Sequence, residues 1–596
     1  MNVLVIGNGG REHALCYGIK QSPNCSNLYC IPGSDAISKI ASSINTDVND
    51  QNAILQFCAE SKIDLVVIGP ELPLTKGLSN LLMNNSILVF GPDQMGAELE
   101  KSKKFTKDIC KKLNIATAAY DVFDNYDDGL NFCQNQSYPL VIKADGLAAG
   151  KGVIICQTKE DAKDALIKCF KDNSFGDAGS VVVIEEFLVG EEVSLFSLVD
   201  KNGFVLPLTT AQDHKKILEG EKGLNTGGMG AYTPVPSISS NKMNELSKTF
   251  VEPIVQHLAE QGINYQGMFY AGLILTDKGP NLLEINVRFG DPETQAIIPL
   301  LETDLLELLH ASAIGTLNEI KKIKWKNDYA MTVVMAAHGY PEDYKKLTPI
   351  NNLENLTLTT DDYLFHAGTM LKENKWLSNG GRVLNISNTG KDLKTIRENI
   401  HNIINQINTN FIDEHRKYLL QPLCDYIESK IKQKAGVNLN FICTHNSRRS
   451  QLSQLWAKVI SDFYNQDINT FSGGIEITAC NERTIASFKR MGFSILNPGG
   501  ENPHYEIKYH ENRPPIILFS KIYDDSPNPN KNFAAVMTCT HADENCPLIP
   551  GADKRISIPY EDPKEFDDTF DEAKMYDKTS IQIATELKYI FSTILS

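Results

Sequence analysis

Long apolar stretches are missing: no run in the 596 residues reaches the roughly 18 apolar positions that a membrane-spanning helix needs. A basic surplus is missing too. Lys and Arg number 58 against 74 Asp and Glu, a net charge of −16. Without a cationic surface to displace counterions, general nucleic-acid binding is not expected, although a small local anion site stays compatible with that charge. No short internal repeat and no low-complexity block breaks the chain. Its first residues, MNVLVIGNGGREHA, lack the basic lead and apolar core of a signal peptide. They read as a first strand and turn, and a cytoplasmic location without membrane attachment is expected. The 13 cysteines are odd in number and scattered from Cys16 to Cys546. A disulfide framework is not expected in a cytosolic chain of this size, so a cysteine that matters should matter as a thiolate.

What is there is an ordinary soluble composition, 42% hydrophobic and 22% charged. The length calls for several domains at roughly 100–200 residues each. Residues 1–100 alternate NVLVIG, EHALCYGIKQ, DLVVIGP and ILVFGP, the βα rhythm of a parallel sheet. Mixed α/β texture continues to about residue 410, through PLVIKADG, SVVVIEEFLVG, AGLILTD and LLEINVRFG. Then EHRKYLLQPLCDYIESKIKQK reads as a charged helical connector, and the strand NLNFICTH opens a new βα unit.

The first chemical motif is Gly7-Asn8-Gly9-Gly10 between a strand and a helix. Glycines there admit positive φ and let backbone N–H groups approach an anion. The same turn also occurs generically in parallel sheets, and the spacing is not that of a dinucleotide site. Gly69-Pro70-Glu71 ends another strand and can face the same crevice. Lys143 ends the strand PLVIK before a loop of small residues, where a lysine can reach phosphates; a solvated lysine is the plain alternative. Glu185 to Glu192 forms a linker with an acid at each end, suited to offering backbone groups to adenine and a carboxylate to ribose. Glu284 and Asn286 are two apart on a strand and share a face, as two oxygen ligands of Mg²⁺ bridging triphosphate oxygens would. Arg288 continues that face and is placed to neutralise a phosphate; alone, such a triplet would be a salt-bridged strand.

In this order, GNGGREHA, IGPELPLTKG, KADGLAAGKGV, EEFLVGEE, AQDHK, NTGGMGAY and EINVRFGDPETQ resemble the ATP-grasp ligases, closest to the glycinamide ribonucleotide synthetase family, with HAGT and NGGRVL also fitting. The resemblance implies an N-terminal Rossmann-like domain over 1–102, an ATP-grasp domain over 103–326 and a small terminal ligase lobe over 327–410. It implies that ATP phosphorylates the glycine carboxylate and that 5-phosphoribosylamine displaces the phosphate in purine synthesis. It implies ATP phosphates on Lys103 and Lys143, adenine on Glu185 and Leu188, ribose on Glu192, and Mg²⁺ or Mn²⁺ on Glu284 and Asn286. Asp213 and Arg288 would position substrate, Gly9 and Gly10 would lie near the ribose phosphate, and Gly227 to Gly230 would be a loop over the site. The Arg-x-Asp-Ile-Gly segment expected near the end of the ligase is absent, so its terminal lobe is shortened, or the fused domain covers what that segment normally covers.

After the connector, 411–437, residues 438–596 carry Cys443-Thr444-His445-Asn446-Ser447-Arg448-Arg449-Ser450 between a strand and a helix. A loop at a helix N-terminus stabilises a tetrahedral oxyanion and favours a thiolate nucleophile. Arg449 can hold two oxygens at once, and Ser450 can donate to the thiolate. A buried cysteine beside solvated arginines is the plain alternative. The loop resembles the low-molecular-weight protein tyrosine phosphatases and the thiol-dependent arsenate reductases, which implies a second parallel-sheet α/β domain. The resemblance implies a general acid at Asp562, with Asp567 as an alternative, and oxyanion contacts from Asn446 and Ser450. Cys539 and Cys546 match the redox pair of the reductases, with a thioredoxin partner; a metal pair with His541 and two inert thiols are alternatives. Arg448 stands where many relatives have a second cysteine. Phosphotyrosine protein and arsenate are both open as substrates, and a non-catalytic oxyanion sensor is the alternative function.

Overall fold

The structure, a computed structural model, describes residues 1–148, 152–172, 174–218, 220, 222–408, 412, 414–510, 513–545 and 548–594. It divides into two compact units, Met1–Ile407 and Asn408–Ser596. Among the described residues no helix is long and apolar enough to cross a membrane.

The first unit begins with a five-stranded parallel sheet in the order Ser42–Ser43, Asn27–Pro32, Asn2–Gly7, Leu65–Ile68, Leu88–Phe90. Alternation along Asn2–Gly7 feeds two cores. Leu4 and Ile6 pack with Val66 and Ile68 on one face, while Val3 and Val5 pack with Leu65 and Val67 on the other. The strand order reverses between Asn2–Gly7 and Leu65–Ile68, and both glycine turns leave the carboxyl ends of these two neighbours. That is where a parallel sheet opens a crevice.

A four-stranded antiparallel sheet comes next, in the order Tyr120–Phe123, Val182–Glu186, Leu140–Ala144, Val153–Cys156. The helices Tyr126–Gln134 and Lys159–Phe170 contribute Cys133, Ala162 and Leu166 to its core. An eight-stranded antiparallel sheet completes the body: Gly279–Asn286, Gly267–Thr276, Glu191–Val199, Val205–Asp213, Gly230–Thr233, Tyr329–Ala336, Arg382–Gly390, Asp362–His366. The residues expected to form a small terminal lobe therefore extend the same sheet, because Gly230–Thr233 pairs with Tyr329–Ala336. Pairing between strands a hundred residues apart leaves no mark in either segment.

The second unit holds a parallel sheet in the order Ile468–Gly474, Val437–Cys443, Phe533–Met537, Ala552–Ser557. The helices Arg449–Phe463 and Glu572–Thr593 pack on it, and a small antiparallel sheet spans Ser494–Leu496, Tyr505–Lys508 and Ile516–Leu518. The stretch expected to be a connector forms the helix Glu414–Lys432. Its Leu420, Leu423 and Ile427 are buried with Leu439, Phe441 and Leu587, so it is part of this unit's core.

Candidate active sites

In the first unit, Gly9 caps the helix Gly10–Lys20 and its N–H donates to Glu12 Oε2 at 2.7 Å. Glu12 is buried under the turn and paired with Arg11 at 2.6 Å. Gly7 has φ +126°, and a Cβ there would stand 2.5 Å from the Glu12 carboxyl carbon, so only glycine fits. A Cβ on Gly69 would meet Glu12 Oε1 as well, so the two glycine turns converge on one carboxylate. Gly9 also faces Asp291, whose carboxylate takes Arg382 at 3.0 Å. Arg382 further donates to the carbonyls of Asp291 at 2.8 Å and Gly227 at 2.5 Å, which seats the glycine loop on the residues after the metal-type strand.

Lys143 and Glu185 lie on adjacent antiparallel strands and share a face. Their side chains pair at 3.0 Å, and Lys107 joins the same Glu185 oxygen at 3.2 Å. All three are buried. Glu185 Oε1 has no hydrogen-bond partner among the described residues, a free acceptor in a dry place. Lys107 is marked by none of the sequence motifs. Its signal is spacing: Lys103 and Lys107 are one turn apart on the helix Lys103–Leu113. Burial lowers the pKa of both lysines. Lys103 Nζ donates to the carbonyls of Asp145 and Gly146 at 3.4 and 3.3 Å. Leu188 and Glu192 flank an exposed bend between the strands Val182–Glu186 and Glu191–Val199.

Glu284 and Asn286 sit on the strand Gly279–Asn286 as expected. Lys215 approaches Glu284 at 3.3 Å, Glu192 at 3.8 Å and Asp213 at 3.9 Å. That lysine holds the Glu284 carboxyl down at about 2. The donor set fits a hard divalent ion: two oxygen donors on alternate positions of one strand, in a site where an ammonium already stands in for a cation. Among the described residues no group of three or more His, Cys, Asp or Glu could hold a metal ion.

The strand ends at Asn286, but the alternation runs on: Ile285 and Val287 share one core, and Arg288 keeps to the side of Glu284 and Asn286, donating to Asn286 Oδ1 at 3.3 Å. Its guanidinium also pairs with Glu100 at 2.9 Å and Glu71 at 3.3 Å, which ties the helix after the first sheet to this strand. Glu293 is a second residue that no sequence motif marks for a role. It is buried and accepts from Tyr270 Oη at 2.8 Å, which also bonds Ser194 Oγ at 2.8 Å. Burial, then the facing Asp213, raises its pKa to about 7.

In the second unit, Cys443 ends its strand with Sγ 3.0 Å from Ser450 Oγ, at the start of the helix Arg449–Phe463. Asn446 takes φ +48°, the left-handed region that asparagine tolerates. Its amide donates to Ser450 Oγ at 2.8 Å, and its Oδ1 accepts from Lys521 N–H at 3.0 Å. Asn446 is fully buried and engaged with its neighbours, so its side chain positions Ser450 instead of meeting an oxyanion directly. Arg449 pairs with Asp562 at 2.6 Å and donates to Tyr560 O at 3.0 Å, while its Nε is buried without a partner among the described residues. Asp562, and not Asp567, thus stands at Arg449; Asp567 pairs with Arg448 at 3.0 Å and accepts from Tyr576 at 2.8 Å. Cys539 packs in one apolar cluster with Cys443, and its Sγ lies 3.5 Å from Thr444 Oγ1. Cys546 lies outside the described residues. A cleft of about 440 Å³ beside the loop is lined by His445, Arg448, Thr478, Arg483 and Lys564 among others.

Family models match the first part of the chain. Residues 1–100 match the phosphoribosylglycinamide synthetase N domain, 101–294 its ATP-grasp (A) domain and 330–417 its C domain. The phosphoribosylamine–glycine ligase of Agrobacterium fabrum is 46% identical over 393 residues, which are 66% of this chain and 92% of the relative. The chloroplastic enzyme of Arabidopsis thaliana is 44% identical over 426 residues, covering 68% of this chain and 80% of that one. The crystal structure of the Thermotoga maritima ligase superposes with a TM-score of 0.59 at 30% identity, over 68% of this chain and 97% of that chain. The fold is also shared, at 13% identity and a TM-score of 0.55, by a biotin carboxylase domain from Hydrogenobacter thermophilus. The two antiparallel sheets with their lysines and acids are those of an ATP-grasp protein. Within that class the chain belongs to the phosphoribosylamine–glycine ligase family, whose ATP-grasp chemistry uses ATP with Mg²⁺ or Mn²⁺.

Proposed function

We propose that the first unit joins glycine to 5-phosphoribosylamine, giving glycinamide ribonucleotide, ADP and phosphate through a glycyl phosphate. The observation that carries this reading is the Lys215–Glu284 pair at 3.3 Å, with the charges of Lys103 and Lys143 also acting on that carboxylate. Glu284 and Asn286 would hold Mg²⁺ or Mn²⁺, which supplies charge neutralisation to the triphosphate. Lys103 and Lys143 neutralise phosphates as charge shifts to the leaving ADP. The Glu185–Glu192 segment receives the adenosine, with Leu188 in its bend. Asp213 faces the same cluster and orients substrate, and the Gly9–Gly10 turn receives the ribose phosphate at the helix N-terminus. Arg288, held by two acids beside Asn286, positions substrate next to the metal site. A product assay with glycine, ATP and phosphoribosylamine on the full chain tests the reading. Formation of the amide with wild type and its loss in Glu284→Ala support it; full activity in that variant refutes the metal assignment.

The second unit supports a further reading on one observation: Cys443, Ser450 and Arg449 surround a loop at a helix N-terminus, and Arg449 Nε is buried without a partner among the described residues. A tetrahedral oxyanion fits such a cradle. Cys443 is then the nucleophile, and Asp562 the general acid once Arg449 turns to the oxyanion. Hydrolysis of a phosphotyrosine ester needs no more than this. Arsenate reduction also needs thiols to receive a disulfide and a thioredoxin to remove it; Cys539 beside Thr444 suits the first of these. Aryl phosphate hydrolysis and thioredoxin-dependent arsenate reduction, each with Cys443→Ser as control, separate the two. Absence of both activities leaves an oxyanion-sensing unit and overturns the catalytic reading.

A further inference from the structure

The charges of three lysines act on Glu284, and these lysines are held very differently. Lys143 is buried, pairs with Glu185 at 3.0 Å and donates to the Leu283 carbonyl at 3.3 Å. Lys103 donates to two backbone carbonyls. Among the described residues the Lys215 ammonium meets carboxylates only, at 3.3, 3.8 and 3.9 Å, and its side chain is 39% exposed. Only the first of these distances is close to hydrogen-bonding range. Its backbone, by contrast, is clamped. The Lys215 carbonyl accepts from Thr226 N–H at 2.7 Å and Thr226 Oγ1 at 2.8 Å, at the root of the glycine loop. The anchor is fixed and the ammonium is loose, with solvent on one side of it. A charge held this way can leave without breaking a backbone hydrogen bond or crossing a packed core.

From this we infer that Lys215 is an exchangeable internal counter-ion: without nucleotide its ammonium neutralises the metal-ligand carboxylate, and it yields that place when the metal arrives with ATP. The inference rests on the reading of Glu284 as a metal ligand. It has a physical rationale on both sides. Glu192, Asp213 and Glu284 together put up to three negative charges around one point, and an unneutralised cluster would repel itself and the incoming triphosphate. With Lys215 in place, the site has little attraction for a free divalent ion. Once displaced, Lys215 is a cation on a fixed root beside the glycine loop, placed to meet the phosphate being transferred. The metal therefore enters efficiently only as its nucleotide complex, whose phosphates give the lysine somewhere to go.

Mn²⁺ binding to the nucleotide-free full chain, followed by electron paramagnetic resonance, tests this without relying on turnover. A fixed unit charge about 4 Å from a divalent ion in water is worth roughly 30-fold in affinity, and a swinging one less. Lys215→Met should therefore tighten Mn²⁺ on the order of tenfold. Lys215→Arg, which keeps the charge, should stay near wild type, and Glu284→Gln should abolish the gain in the double variant. If Lys215→Met leaves Mn²⁺ affinity unchanged or weaker while Glu284→Gln still lowers it, the counter-ion role falls and the metal site stands. If Glu284→Gln changes nothing in either background, the metal assignment falls and takes the counter-ion with it.

Discussion

Replacing Glu293 by Gln should stabilise the first unit at pH 8 and leave it unchanged near pH 4.5. The native carboxyl is buried, faces Asp213 and titrates at about 7, against an ordinary 4.5. A folded-state pKa above the unfolded value means that the native state holds its proton longer. Below pH 4.5 both states are protonated and the group contributes no difference. Between 4.5 and 7 stability falls as pH rises, and above 7 the whole penalty is present. At 1.36 kcal/mol per pH unit the penalty is about 3 kcal/mol. Gln never ionises and still accepts from Tyr270, whose hydroxyl lies 2.8 Å from Glu293 Oε1. For the unit Met1–Ile407, an unfolding entropy of about 2.1 cal/mol/K per residue turns that into a Tm rise of about 3–4 °C. Calorimetry of both proteins from pH 4.5 to 8.5 should show the difference opening between pH 5 and 7 and then levelling. A constant difference across that range, or one that closes as pH rises, would refute the assignment of a protonated buried acid facing Asp213.

The geometry sets three further outcomes. Gly228 has φ +105° and an added Cβ would stand 2.4 Å from Pro292 Cδ; strain of about 1–3 kcal/mol should cost Gly228→Ala roughly tenfold or more in ligase kcat/KM, measured with saturating ATP. Arg416 holds Glu586 through two 2.8 Å bonds, and that carboxylate is buried. Arg416→Met should destabilise the second unit by about 3–5 kcal/mol, read from urea denaturation of the full chain. Ser450→Ala removes the hydroxyl 3.0 Å from Cys443 Sγ; loss of one hydrogen bond at the attacking sulfur, about 0.5–1.5 kcal/mol, should slow alkylation of Cys443 at neutral pH by roughly two- to tenfold, with ligase activity unchanged.

The features legible in the sequence are local ones. The βα rhythm of residues 1–100 appears because parallel strands buried on both faces are written as apolar runs, and Val3 to Ile6 are such a run. The alternation that puts Glu284 and Asn286 on one face is equally local. The ion pairs of Arg288 are not legible, since they depend on two acids, Glu71 and Glu100, far away in sequence. Lys215 and Glu293 are likewise defined by partners on other strands. The helix Glu414–Lys432 resembles a connector because its charged positions dominate the sequence, although Leu420, Leu423 and Ile427 are fully buried.

The eight-stranded sheet has a consequence for dissection of the gene. A cut at residue 326, where the sequence suggests a domain end, would strip Tyr329–Ala336 from Gly230–Thr233 and leave an open ladder of N–H and C=O groups beside the glycine loop. Such an edge recruits other chains, so that fragment should precipitate or pair with itself. The last strand of this sheet in chain order closes at Gly390. The helix that follows, Leu393–Asn408, still buries Ile396, Ile400 and Ile403 against Leu384 and Ile386, so length can be added or removed without opening this unit only once that helix has been passed.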